Sequence, residues 1–282
     1  MSDATNDQSG TLEATGGPLY YEVAGEGHPL LLVHAGIADH RMWDDQWNLY
    51  SGRYRVIRYD TRGFGGTPIL DREYNNRQDI HDLLSHFGVD KTYLVGVSRG
   101  GQIAIDFTLE HPELVDGLVV VGAGISGSTD GPEPAPDELQ AFEEMEEAET
   151  KEDWERVADI DVRVWVDGFG RPPGGRGDVS VRDKVRLMCL ENYRRPYGNG
   201  QPVVLDPPAA GRLGEIKVPT LVMVGEYDTS GARANADVLA DRIPGARKVV
   251  IEGTAHVPNM ERPEEFDRLV LAFFRGIEEV AF

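Results

Sequence analysis

Seven short apolar runs limit what this chain can fold into. They are Leu19–Val23, Pro29–Val33, Tyr54–Tyr59, Lys91–Gly96, Leu118–Gly122, Thr220–Gly225 and Arg247–Ile251. A half-exposed strand alternates apolar and polar residues. A continuous run of this length, stopped by glycine or a turn, suits a strand buried on both faces of a parallel sheet. Helical segments lie between the runs. Asn76–Phe87 carries apolar residues at 80, 83, 84 and 87 and stops at Gly88, and Gly101–Glu110 is ended by His111-Pro112. Strand and helix in alternation predict an α/β fold with a mostly parallel, twisted sheet flanked by helices. The first dozen residues read as a loose tail.

The rhythm breaks between about 127 and 213. Ser128–Pro136 is turn-rich, Asp137–Asp159 is acidic and helical, Gly168–Gly177 is rich in Pro and Gly, and Ser180–Tyr193 is helical again. No sheet-like run occurs there, and the strand pattern resumes at Pro219. The expected organisation is a core of residues 1–126 and 214–282 with a helical insertion at 127–213. The acidic run Glu143–Glu149 reads as a solvated helix face.

Charge narrows the partners. Lys and Arg number 28 against 49 Asp and Glu, a formal net charge of −21. Such a surface repels phosphate backbones and anionic lipid heads, so nucleic acid and membrane are poor partners. The acidic composition fits a saline habitat or a GC-rich genome alike. No apolar run approaches the roughly 18–20 residues that span a bilayer, and the polar start of the chain has no secretory pattern. A cytoplasmic location is expected. The single cysteine, Cys189, excludes an intramolecular disulfide and a multi-thiolate zinc site. No His/carboxylate cluster shows metal-ligand spacing, so no metal is expected. A homo-oligomer is left open.

The strongest chemical signal is Gly96-Val-Ser98-Arg-Gly100, a G-x-S-x-G pattern between an apolar run and a helical segment. The letters alone are common by chance; the strand–turn–helix context gives them meaning. A serine there sits on a sharp turn, and small residues at 96 and 100 admit close backbone approach. Its hydroxyl lies near a helix N-terminus, which favours developing negative charge. A serine nucleophile needs a base, and the base needs an orienting acid. Gly225-Glu-Tyr-Asp228 and Gly253-Thr-Ala-His256 both follow apolar runs. Ligands of open α/β sheets bind at the carboxyl ends of strands, so Ser98, Asp228 and His256 are expected to converge. Asp130 and Glu226 are the rival acids.

In these residues the chain resembles the α/β-hydrolases, specifically the esterase, haloperoxidase and enol-lactonase branch. The order Ser, Asp, His is that of the family. His34-Ala-Gly-Ile…Trp43 resembles its oxyanion loop, and Tyr59-Asp-Thr-Arg-Gly-Phe-Gly65 resembles its Asp-x-Arg-Gly-x-Gly turn. Val218-Pro-Thr-Leu-Val before the acid, and Glu261-Arg-Pro-Glu-Glu-Phe266 after Ala255-His256, agree as well. The resemblance implies an α/β-hydrolase fold with a helical cap at 127–213. It also implies a catalytic triad of Ser98, His256 and Asp228, and an oxyanion hole from the backbone N–H groups of Gly36 and Arg99. Ala35 stands where glycine is usual, which leaves Ile37 as a substitute donor. The Arg99 side chain has two readings: it attracts a substrate carboxylate, or it packs away while only its N–H works, the reading preferred.

The remaining candidates have bland explanations. His34 reads as a structural histidine, and His28, His40, His81, His86 and His111 as surface or cap residues. Asp60 and Arg62 read as a pair that stabilises a turn. Gly122-Ala-Gly-Ile-Ser-Gly127 fits G-x-G-x-x-G, but Ser128-Thr-Asp-Gly-Pro cannot open the helix that a dinucleotide site needs. Phe142, Met145, Trp154, Val164, Trp165 and Met188 read as cap core, some lining a pocket. The implied activity is hydrolysis of a small, partly hydrophobic carboxylic ester or lactone through an acyl-enzyme, without cofactor. A serine nucleophile argues against dehalogenase and epoxide-hydrolase chemistry. The same triad also supports carbon–carbon bond hydrolysis or perhydrolysis, and the fold also serves non-catalytic small-ligand receptors.

Overall fold

Every apolar run becomes a strand of one sheet. The computed structural model describes residues 7–129, 131–171, 175 and 177–280. In chain order the elements are β1 (Gln8–Ala14), β2 (Gly17–Ala24), β3 (Pro29–Val33), α1 (Asp44–Ser51), β4 (Arg55–Tyr59), α2 (Asn76–His86), β5 (Thr92–Val97), α3 (Arg99–Glu110) and β6 (Val115–Val121). Then follow α4 (Pro136–Thr150), α5 (Trp154–Asp161), α6 (Val179–Tyr193), β7 (Thr220–Gly225), α7 (Ser230–Arg242), β8 (Arg247–Ile251), α8 (Pro258–Glu261) and α9 (Pro263–Val280). The strand order is β1-β2-β4-β3-β5-β6-β7-β8. β1 and β2 pair antiparallel, as do β2 and β4, and every other pair is parallel.

The continuous apolar runs are explained by which face each residue meets. On β3, Leu30 and Leu32 join one apolar layer, with Trp43, Phe266 and Phe274. Leu31 and Val33 join the opposite layer, with Ile80, Leu84 and Phe107. Val119 and Val121 of β6 divide from Leu118 and Val120 in the same way. With helices on both faces no position of a central strand meets water, and each such side chain contributes about 1.5–3 kcal/mol by its burial.

Residues 8–14 depart from the expected tail. They form the edge strand β1, which pairs only with β2 and leaves most of its side chains exposed. The expected helix over Asp137–Asp159 is two helices. Glu152 takes a left-handed φ of 55°, and the Asp153 carboxylate accepts the Arg156 N–H at 3.2 Å to start α5. Among the described residues between β6 and β7 there is no strand, and Val162–Asp167 continues α5 as a π-helical turn. α1, α7 and α9 were not foreseen.

Two glycines allow the turn between β5 and α3. A Cβ at Gly96 would collide with the Gly100 carbonyl oxygen, and one at Gly100 would collide with the Val33 and His34 carbonyl oxygens. These obstacles are backbone and cannot swing aside. Gly96→Ala is therefore expected to lower stability by about 3 kcal/mol or more in chemical denaturation. Gly231→Ala, in the first turn of α7 with open space around it, is expected to stabilise by about 0.5 kcal/mol.

Candidate active site

The sheet order places a crevice beside β3. From β3 the chain moves one way to β4 and then returns to β5 on the other side, so loops at the carboxyl ends of β3 and β5 leave in opposite directions. Such switch points are where open α/β sheets bind ligands. His34 to Gly36 leave β3 here, and Ser98 leaves β5. Ser98 has φ 55° and ψ −120°, between the last residue of β5 and the first of α3. A non-glycine residue in this region costs about 1–3 kcal/mol and persists only where its surroundings enforce it. Here Ser98 N–H donates to Val121 O at 2.7 Å, and its carbonyl accepts Gln102 N–H at 3.0 Å.

Asp228 and His256 form a buried pair on the neighbouring loops. His256 Nδ1 lies 2.8 Å from Asp228 Oδ1 and 2.9 Å from Oδ2, with side chains 4% and 1% exposed. Asp228 Oδ1 also accepts the Thr229 N–H at 2.8 Å. Gly122, directly after the Val121 that binds Ser98, lies against this pair. A Cβ there would stand 2.9 Å from Asp228 Oδ2 and 3.0 Å from His256 Nδ1, and its φ is +52°. The first glycine of the dinucleotide-like motif thus serves the His–Asp pair. No helix opens before α4 among the described residues that follow it. Glu226 points elsewhere, accepting the Gly253 N–H at 2.9 Å. Asp130 lies outside the described residues.

Gly36 lies on the loop that leaves β3, beside the start of α3. Arg99 opens α3, where a helix has no internal acceptor for its amide. The Arg99 stem packs against Gly36, whose Cβ position lies 3.6 Å from Arg99 Cδ. His34 is structural, as expected. Its Nε2 accepts the Thr61 N–H at 2.9 Å, so its Nδ1 donates to Ala35 O at 2.8 Å. Burial lowers its pKa and keeps it neutral.

Two other expectations are corrected. Asp60 and Arg62 are structural but do not pair with each other. Asp60 accepts from His40 Nδ1 at 2.8 Å and from Gly66 N–H at 2.7 Å. Arg62 forks onto Asp79 at 2.7 and 2.8 Å. His40 is accordingly neither a surface nor a cap residue, and Asp39, His40 and Asp60 form a close cluster that linear spacing hid. Its ligand atoms are already used, since Asp39 holds Arg41 with both oxygens. The cluster is a hydrogen-bond network that ties the oxyanion loop to the turn after β4.

The sequence profile of the alpha/beta hydrolase family matches residues 30–269. The chain belongs to that family. A pimeloyl-[acyl-carrier protein] methyl ester esterase from Aeromonas hydrophila is 24% identical to this hydrolase over 257 residues, 88% of this chain and 96% of its own. The 3-oxoadipate enol-lactonase 1 of Acinetobacter baylyi is 24% identical over 242 residues, 85% of this chain and 86% of its own. A solved hydrolase from Pseudomonas aeruginosa superposes with a TM-score of 0.73 at 25% identity, over 95% of this chain and 98% of that one. No helix among the described residues is long and apolar enough to cross a membrane.

Sequence reasoning missed how this hydrolase holds its histidine. The Trp165 ring lies 4.4 Å from the His256 ring, and Trp165 O accepts the His256 N–H at 3.0 Å. Trp165 Nε1 donates to Asp161 at 3.1 Å, and Tyr193 donates to the same carboxylate at 2.5 Å. Glu261 clamps the other side. It accepts the Ala255 N–H at 2.8 Å, the Val257 N–H at 3.3 Å and Arg171 Nη2 at 2.8 Å. Glu261 stood in a recognised motif, but nothing in its spacing signalled that it brackets residue 256.

Burial pushes the Glu261 carboxyl up to about 7 from 4.5. A raised carboxyl pKa means the native state holds a proton that the unfolded chain has released. This contribution to stability is fully present below about pH 4.5 and is lost as pH rises to about 7, amounting to about 3 kcal/mol. Glu261→Gln cannot ionise. Denaturation midpoints from pH 4.5 to 7 should therefore fall less steeply for the variant than for the wild type. Identical slopes would remove Glu261 as the titrating group.

Proposed function

We propose that this hydrolase cleaves a small, partly hydrophobic carboxylic ester or lactone through an acyl-enzyme on Ser98. The observation that carries this reading is the buried 2.8 Å pair of His256 and Asp228, one residue removed from the strand end that holds the strained Ser98. His256 takes the Ser98 proton as Oγ attacks the acyl carbon. Asp228 fixes the tautomer through Nδ1–H and stabilises the imidazolium that forms. The N–H groups of Gly36 and Arg99 receive the oxyanion, each such donor contributing about 3–4 kcal/mol in the transition state. His256 returns the proton to the leaving oxygen, then takes one from water, which attacks the acyl-enzyme and frees the acid. No cofactor enters these steps. The names of the esterase and enol-lactonase relatives agree with this reaction class.

Residues 127–213 act as the cap in this reading. Ala141, Ala148, Val157, Ile160 and Val164 form their own apolar cluster, with Phe142, Met145, Trp154 and Trp165 packed against it. Met188 instead joins the layer of the main core. Trp165 carries the cap's apolar surface to the His256 ring, which favours a substrate with an apolar portion.

Burst and steady-state kinetics on short p-nitrophenyl esters test the reading. Ser98→Ala and His256→Ala are expected to lose about 10⁴-fold or more in kcat, and Asp228→Asn about 10⁴-fold. A Ser98→Ala protein as active as the wild type would overturn the mechanism. Products from a panel of esters, lactones and vinylogous diketones separate ester cleavage from carbon–carbon cleavage.

A further inference from the structure

Buried cations in this protein have acids beside them. Arg62 meets Asp79 at 2.7 Å, Arg58 meets Glu22 at 2.6 Å, Arg77 meets Glu110 at 2.6 Å and Arg171 meets Glu261 at 2.8 Å. With 49 acidic residues against 28 basic ones, a buried or half-buried guanidinium lacking such a partner is a departure that needs a cause. Arg99 is that departure. Among the described residues no carboxylate lies within 4.0 Å of it. Nη1 donates to the Thr61 hydroxyl at 2.5 Å, and the guanidinium lies 5.1 Å from the Phe64 ring centre. Tyr74 supplies a further hydroxyl. All three partners are neutral. Burial holds the guanidinium pKa below its ordinary value even though the more distant Asp79, itself held by Arg62, acts the other way, and burying a charge without a close partner is costly.

Arg99 is also among the residues that line a cavity. Its volume is about 260 Å³, and Arg99, Gln102, Asn76, Ser126, Val203 and Leu205 are among its walls. The Asn76 side-chain oxygen is buried without a hydrogen-bond partner. Two other charged residues border the space, and both are engaged. Arg77 holds Glu110 and the Val203 carbonyl, and Asp106 accepts from Ser126 at 2.7 Å. Burial draws Asp106 toward its neutral form, which weakens its opposition to an anion. The cavity is also tied to the reacting centre. Arg99 follows Ser98 directly in the chain, and its stem packs against Gly36.

We propose that Arg99 receives a carboxylate carried by the substrate, so that the preferred substrate is a monoanionic ester or lactone such as a half-ester of a short dicarboxylic acid. This inference rests on the serine-hydrolase reading and adds the substrate class. A carboxylate supplies the fork-matched anion that the protein withholds from Arg99. The cavity lies just below the roughly 300–1,000 Å³ of ordinary ligand sites, which suits a short acyl chain. The acidic surface repels anions at long range, so the preference arises inside the site and not in encounter.

The test compares kcat/KM for monomethyl and dimethyl glutarate in the wild type, Arg99→Gln and Arg99→Lys. Wild type should prefer the monoanion by about tenfold or more, Arg99→Gln should lose that preference, and Arg99→Lys should lower it severalfold because the fork is gone. The ratio within each protein cancels any general effect of the substitution on the oxyanion loop. Equal rates in the wild type, or a preference kept by Arg99→Gln, overturn the proposal. Should Arg99→Gln not fold, an unchanged ratio in Arg99→Lys overturns it. If wild type cleaves neither ester, the hydrolase reading fails on its own, and calorimetric titration with glutarate decides the rest. Binding to wild type but not to Arg99→Gln upholds the anion site; no binding to wild type removes it.

Discussion

The site depends on backbones meeting closely at the carboxyl edge of the sheet. Ser98 adopts a conformation that an L-residue avoids, and it is held there because β5, the start of α3 and the loop after β3 touch without intervening side chains. A turn enforced from several sides fixes the Ser98 backbone, and with it the point from which the side chain leaves. Such preorganisation reduces the reorganisation needed when charge develops. The same closeness recurs where Gly122 meets the Asp228–His256 pair. Three loops distant in sequence are thereby packed against one another.

Around this edge, carboxylates act mainly as anchors for backbone and ring N–H groups. Asp60 joins His40 to the Gly66 amide, and Glu261 grips the amides on both sides of His256. Asp161 holds Trp165 against the His256 ring. The overall acidity of the chain therefore has two components: an exposed excess that sets the surface potential, and a buried set that each hold a particular loop. Burial raises the Asp161 carboxyl to about 6 and the Glu261 carboxyl to about 7. Loop positioning at this site is accordingly coupled to protonation well above the ordinary carboxylate range.

The parts of this structure legible from sequence were those written in local pattern. Runs such as Pro29–Val33 and Leu118–Val121 announced themselves because both faces are covered, so no polar residue interrupts them. The turn at Ser98 and the pairing of Asp228 with His256 were legible because each residue follows such a strand. β1 was not, since an edge strand held by backbone hydrogen bonds to a single neighbour needs little apolar patterning. Asp60 and Arg62 misled because their likeness to the family's turn motif suggested a pair, whereas their partners lie 20 and 17 residues away. Glu261, Asp161 and Trp165 act across the boundary between core and helical block, and a contact of that kind leaves no periodic trace.

The segment from Trp165 to Arg171 shows how the helical block is seated. Trp165 takes the amide of His256 and covers its ring, Phe169 N–H binds the Tyr227 carbonyl at 3.0 Å, and Arg171 pairs with Glu261 while lying over the Tyr227 ring. Tyr227 adjoins Asp228, so this strap touches both the loop carrying Asp228 and the loop carrying His256. A helical block attached only by its chain ends would be free to shift without disturbing the His256–Asp228 pair. Here the attachment runs through those two loops themselves. Any displacement of the strap removes an acceptor from the His256 amide and a cation from Glu261 together. The placement of the block and the geometry of the His–Asp pair are thus one structural variable.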